Sequence, residues 1–282
     1  GPWLFCRLPT YYKTMYGKEG IIEWAKSWKA DAILARWDHE GTNLLATLNI
    51  PIVLQNYKSR SPYFSNLTGD YVGTGMMAAN FFIKRRFRNF AFYGNKGVIW
   101  SQERAEGFKK EVEKAEGNFF CFESEDLGGK ERSSSYAELD EWLLSLPKPV
   151  GLFACDDDFA LRISQICKIN NIKIPEEISL LGVDNDELIC HLSDPPLSSI
   201  VTDVEKGGYE AGRLIDRMFK GEIKEPTNIF IKPTRFELRK STEKSPMSIF
   251  LKLSILSKIT LLRTSILNRF LNLFHSRDVT LN

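Results

Sequence analysis

Two carboxylate clusters follow directly on apolar runs: Asp156, Asp157 and Asp158 come after the run at 150–155, and Asp184, Asn185 and Asp186 after the run at 178–183. Such groups can accept hydrogen bonds from a hydroxyl-rich ligand. They can also cap the helix that follows, or act as an acid and base pair on a glycosidic bond if two of them stand at a defined separation. A third chemical group is Arg104, in the first turn of a helix read over 101–115. A cation there works against the helix dipole, so the position is costly unless it serves a partner, which makes Arg104 a candidate ligand contact.

The elements that must position these groups read as strand, helix, strand. The run at 150–155 is unbroken and apolar, a helical pattern follows with Leu161, Ile163, Ile166 and Ile169, and Asn170 and Asn171 offer a stop. After Pro175 comes the second run, again without polar alternation. This is the signature of a βαβ unit in a parallel sheet covered on both faces. Ligands of such sheets collect beyond the carboxyl ends of the strands, where both acidic clusters stand, and two clusters at equivalent ends favour a polar site over capping alone.

Earlier in the chain, 3–8, 31–35 and 49–54 read as strands and 19–28 as a helix. A helix starting at Asp70 carries Gly73 and Gly75 near its beginning, where close packing is possible, and ends in a basic run at 84–88 that reads as a solvated helix end. Strands at 89–93 and 118–122, a loop at 127–135, a helix through Trp142, a strand at 197–201, a helix at 205–219 and an extended piece at 229–238 complete the body. The alternation defines an α/β chain of doubly wound parallel sheets.

Composition narrows the function classes. The net charge of +2 is uneven: residues 245–282 carry +4, which leaves −2 for residues 1–244, so the body is not a polyanion-binding surface by charge alone. Cys6, Cys121, Cys155, Cys167 and Cys190 are odd in number and lack CxxC spacing, which points to reduced, buried thiols in a cytoplasmic protein. His39, His191 and His275 are scattered, so no metal site is expected. No apolar run approaches the roughly eighteen residues needed to span a bilayer, and no membrane association is expected.

Several strings carry a resemblance: FRNFAFYG at 87–94, WSQERAEGF at 100–108, LPKPVGLFACDDD at 146–158, ISLLGVDNDELIC at 178–190, DPPLSSI at 194–200 and RKSTE at 239–243. Together they resemble the effector domains of the lac-repressor family and related periplasmic sugar-binding proteins, and within them the branch of xylose operon regulators. The resemblance covers roughly 1–243 and implies a type I periplasmic-binding-protein-like fold of two lobes about a hinge. Residues 1–86 and 197–220 would form one lobe, and 87–196 with 229–240 the other. A sugar, xylose or a related pentose, would bind in the cleft between them. By matching motif positions Asp70, Arg104, Asp156 and Asp184 would contact it, Asp157 is a further expected ligand contact, and Trp100 would lay its ring on the sugar's apolar face. No cofactor is implied. Members of this branch join the sensing body to a C-terminal DNA-binding domain of the AraC type, so operator DNA is the expected partner of a full-length protein, as a homodimer.

Three departures stand out. The branch usually has Asn at Asp156 and often Arg at Phe159. The family places a strand and helix before the GPW string, and without that strand two neighbours are expected to lose a ladder partner. Beyond Glu243 the branch continues into helix-turn-helix units, whereas 245–282 shows an amphipathic stripe of Ile255, Ile259, Leu262, Ile266, Phe270 and Leu273. That tail reads as a remnant of the missing domain, as a partner or membrane-surface helix, or as a short DNA-contacting arm. The leading function is thus a sugar-responsive transcription regulator, with a transporter's solute-binding protein as runner-up. An enzyme is not expected, because nothing supplies a distinct nucleophile or metal.

Overall fold

The computed structural model describes residues 3–37, 42–56, 58–125 and 133–243. The tail at 244–282, part of the 127–135 loop, His39 and His275 lie outside the described residues.

The second lobe is built on a six-stranded sheet. Its strands are β4 (Asn89–Asn95), β5 (Asn118–Ser124), β6 (Val150–Ala154), β7 (Ile178–Val183), β8 (Ser198–Thr202) and β10 (Pro233–Glu237), in the order β10-β8-β7-β6-β4-β5. All pairs are parallel except β10 with β8. Every residue of β6 and β7 is buried, as unbroken apolar runs demand when helices cover both faces. One of those helices is α6 (Asp157–Ile169), which buries Ile163 and Ile166 and ends where Asn171 takes φ 55°. Ile169, read as part of the apolar stripe, is instead exposed.

The first lobe holds a four-stranded parallel sheet of β1 (Ile33–Ala35), β2 (Ile52–Leu54), β3 (Ser65–Gly69) and β9 (Asn228–Ile231), in that order. Helices α1 (Thr10–Ser27) and α2 (Thr42–Ala46) cover one face through Ile22 and Leu45. The segment at 3–8 forms no strand, and its Leu4 and Phe5 are exposed. The expected loss of ladder partners is not what the sheet displays: β1 pairs directly with β2, Ile33 opposite Ile52, so each satisfies the other's backbone groups.

Within the described residues the chain crosses between lobes three times, and the crossings correct the expected division. After β3 it crosses at Asp70 into α3 (Tyr71–Lys84), which buries Ala78, Ala79, Phe81 and Phe82 in the second lobe's core rather than the first's. Strand β8 also belongs to the second lobe, paired to β7, and only α8 (Val204–Phe219) returns to the first, burying Ala211, Leu214 and Ile215 against Val53 and Leu67. The extended piece at 229–238 is two strands in different sheets, β9 in the first and β10 in the second, parted at Lys232. Asp70 and Asp203 mark the first two crossings, each capping the helix that follows through Gly73 N and Lys206 N.

One close contact fixes the geometry of the site. Helix α3 packs on α4 (Ile99–Lys114) at two glycines: a Cβ on Gly75 would lie 2.0 Å from the Arg104 carbonyl oxygen, and one on Gly107 2.1 Å from that of Val72. Only backbone can approach backbone so nearly, and the contact sets Arg104 against the start of α3.

Candidate ligand-binding site

The strand ends of the second sheet supply most of the chemistry. At the end of β7, Asp184 and Asn185 take φ 97° and 56°, two consecutive non-glycine residues in the left-handed region, a local strain held by surrounding bonds. The Asp184 N–H donates to Ile200 O at 2.9 Å and the Asn185 N–H to Ser199 Oγ at 3.0 Å. The turn thrusts the Asp184 carboxylate outward, half exposed, where Oδ1 lies 3.4 Å from both Arg104 Nη2 and Thr202 Oγ1.

Arg104 is the centre of this arrangement. Its side chain is only 4% exposed. Nη1 donates to the Cys155 carbonyl oxygen at the end of β6, Nη2 faces Asp184, and the guanidinium carbon lies 5.4 Å from the ring centroids of both Trp100 and Tyr71. A cation between two aromatic faces is held by their quadrupoles as well as by hydrogen bonds. Because α4 begins at Ile99, Arg104 stands in its second turn; burial, rather than opposition to the helix dipole, marks it out.

The remaining candidates divide. Asp156 caps α6, its Oδ1 accepting from Phe159 N at 2.8 Å, and burial together with the Asp184 charge lifts its pKa to about 6. Asp70 caps α3 in the same way at 2.9 Å, while its own N–H donates to Ile231 O and ties the first crossing to the third. A cap uses one lone pair of a carboxylate and leaves others for a ligand, so capping and ligand contact are compatible. Trp100 is partly buried beside Arg104.

Asp157 is different and corrects the expectation of a ligand contact. Its side chain turns inward, accepting from Ser199 Oγ at 2.7 Å and Asp186 N at 2.8 Å, with Cys190 Sγ at 3.6 Å. Burial lifts its pKa to about 7. Its work is to clip the β7 turn to β8, which orients Asp184 from behind. Asp158 is exposed.

Residues that sequence reasoning missed complete the picture. Tyr71 lies against Arg104, and Arg60 stands in the loop after β2 with Nη2 3.3 Å from Thr68 Oγ1. Among the described residues, buried polar atoms without a protein partner include Arg104 Nε, Arg60 Nε, Trp37 Nε1 and Asn185 Oδ1. Trp37 follows β1, and its backbone N–H is held by Asn56 Oδ1 after β2, so the first sheet too offers polar groups at its carboxyl ends. Buried donors and acceptors left unpaired are uncommon and are what a hydroxyl-rich ligand would use. A hollow of about 460 Å³ lined by Arg85, Leu238, Arg239, Thr242 and Glu243 lies at the opposite end of the second sheet and contains none of these groups.

Among the described residues no group of His, Cys, Asp and Glu is placed to hold a metal ion, and no helix is long and apolar enough to cross a membrane. Cys155, Cys167 and Cys190 are buried thiols, whereas Cys6 and Cys121 are exposed, against expectation; all five are free.

Two sheets joined by three crossings, with polar groups gathered at their carboxyl ends, define a class, and residues 79–242 match the periplasmic binding protein-like domain family. The chain belongs to that family. Within it the chain is similar to the xylose operon regulatory protein of Haemophilus influenzae, 31% identical over 221 residues covering 76% of this chain and 57% of the relative. It is also similar to the protein of that name from Escherichia coli K12, 28% identical over 79% of this chain and 59% of the relative. The chain thus spans under three fifths of the length of these curated relatives. A solved structure described as the xylose-binding transcription activator xylR superposes with a TM-score of 0.68 at 24% identity, covering 86% of this chain and 69% of that one, a likeness of fold.

Proposed function

We propose that this chain is the effector-sensing body of a sugar-responsive transcription regulator, and that it binds xylose or a related pentose between its two lobes. The observation that carries the reading is Arg104: a buried guanidinium between two aromatic rings, facing Asp184, at the carboxyl ends of parallel strands. Asp156 and Asp184 offer acceptors to sugar hydroxyls, Arg104 offers donors, and Trp100 and Tyr71 offer faces for the C–H side of the ring. Asp70 belongs to the same set. The similarity to xylose operon regulatory proteins supports the choice of a pentose. The reading requires no cofactor and no catalysis.

Coupling to operator DNA, a homodimeric state and a cytoplasmic setting belong to the same proposal for the whole regulator. A sugar that prefers one lobe arrangement shifts the population toward it, and the same free energy alters DNA affinity by linkage. By itself this chain is expected to bind DNA weakly or not at all. The test is the thermal midpoint of the full chain across a panel of pentoses and hexoses. One pentose should raise it, by the free energy that ligand binding adds to the folded state. An unchanged midpoint with every sugar refutes the reading.

A further inference from the structure

The three crossings join the lobes covalently, and a side-chain contact joins them directly as well. Arg60, on the first lobe between β2 and β3, meets Glu103 of α4, on the second, in a two-pronged ion pair: Nη1 to Oε1 at 2.6 Å and Nη2 to Oε2 at 2.7 Å. Both side chains are about a quarter exposed, 23% and 22%. On its own lobe the guanidinium is seated against Thr68 Oγ1 at 3.3 Å and over the Phe230 ring, 5.1 Å from its centroid. Thr68 stands just before the first crossing at Asp70, and Phe230 just before the third at Lys232. Glu103 raises the Arg60 pKa, so the cation persists at any physiological pH.

We infer that the Arg60–Glu103 pair is a hinge brace: it must part before the lobes swing, and so it sets the balance between open and closed cleft. A fork-to-fork pair is specific in geometry and tolerates little displacement. Hinge motion displaces one domain's surface against the other's, so a swing about the crossings ruptures both bonds together. Its seat on two of the three crossing strands places the brace where bending has to occur, and Glu103 precedes Arg104, so brace and site arginine move as one on α4. Any ligand that needs the closed arrangement binds in proportion to the closed fraction. The inference holds for whatever ligand the cleft takes and goes beyond the sugar reading. Arg60 and Glu103 are positioning residues in this account.

Small-angle X-ray scattering of the full chain without sugar tests it. Glu103→Gln and Arg60→Gln should each change the particle's dimensions in the same sense, with the balance between lobe arrangements shifting about tenfold for loss of a partly buried charge pair. Glu103→Asp, which keeps the charge and shortens the reach, should fall between. High salt should shift the wild type in that same sense and leave Glu103→Gln unchanged, a response that loss of packing would not produce. Circular dichroism checks that each variant is folded; should one fail, the other two decide. Variants that scatter as the wild type overturn the brace. If no sugar binds the wild type, the sugar reading falls while the scattering comparison still decides this one.

Discussion

Replacing Asp157 by asparagine should flatten the dependence of stability on pH. Asp157 is 2% exposed, and burial raises its pKa from the ordinary 3.8 to about 7. Between those values the folded chain holds a proton that the unfolded chain has released, so stability falls as pH rises through about 4 to 7 and is constant above. Three units of difference correspond to about 4 kcal/mol across the window. Asp156, with a pKa of about 6, adds a contribution of the same sign over a narrower window. An amide in place of the carboxyl cannot ionise, so Asp157→Asn should retain only the slope from Asp156 and the ordinary groups. The variant has its own constant cost, because its NH2 group must face either the Ser199 hydroxyl or the Asp186 N–H, which in the wild type donates to Oδ2 at 2.8 Å; the second choice leaves two donors opposed. Urea denaturation at unit steps from pH 4 to pH 8 measures the difference between the two proteins. Parallel profiles, offset but equally steep, would refute the assignment of a buried, proton-binding role to Asp157.

Arg104→Lys keeps the charge and loses the fork, so it cannot serve Cys155 O and Asp184 together; sugar affinity should fall by about 1.5–3 kcal/mol in a titration. Gly107→Ala drives a methyl into the Val72 carbonyl across the α3–α4 contact and should lower stability by about 1–3 kcal/mol in denaturant, displacing Arg104 as the helices part. Ser241→Ala removes a buried hydroxyl that donates to Leu180 O at 2.7 Å and accepts from Ser198 N at 2.8 Å, and should cost about 1–3 kcal/mol without altering sugar affinity, read from denaturation and titration of the same sample.

The second lobe was legible because β6 and β7 are buried on both faces, and such strands announce themselves as unbroken apolar runs ending at the acidic turns. The crossings were not. A strand followed by a helix reads the same whether the helix packs on its own sheet or on the other, so nothing in the pattern corrected the division that the resemblance implied, with β8 and α8 in one lobe together. The buried Ser198 and Ser199 gave no apolar signal for the second sheet, because their hydroxyls are satisfied by Arg239, Thr242 and Asp157, none of them near in sequence. Of the acidic residues, adjacency hid the difference that matters: Asp156 caps α6 from outside it while Asp157, the first helical residue, turns inward to Ser199. Arg60 and Glu103 lie 43 positions apart in a polar loop and an ordinary charged helix, a pairing that spacing cannot suggest.

The central claim is that Arg104 and the strand-end carboxylates grip a polyhydroxy compound between hinged lobes. Isothermal titration of the full chain with xylose, repeated on Asp184→Ala and Arg104→Ala, tests it most directly. The account predicts saturable binding by the wild type and none by folded samples of either variant; xylose bound equally well by all three would contradict it.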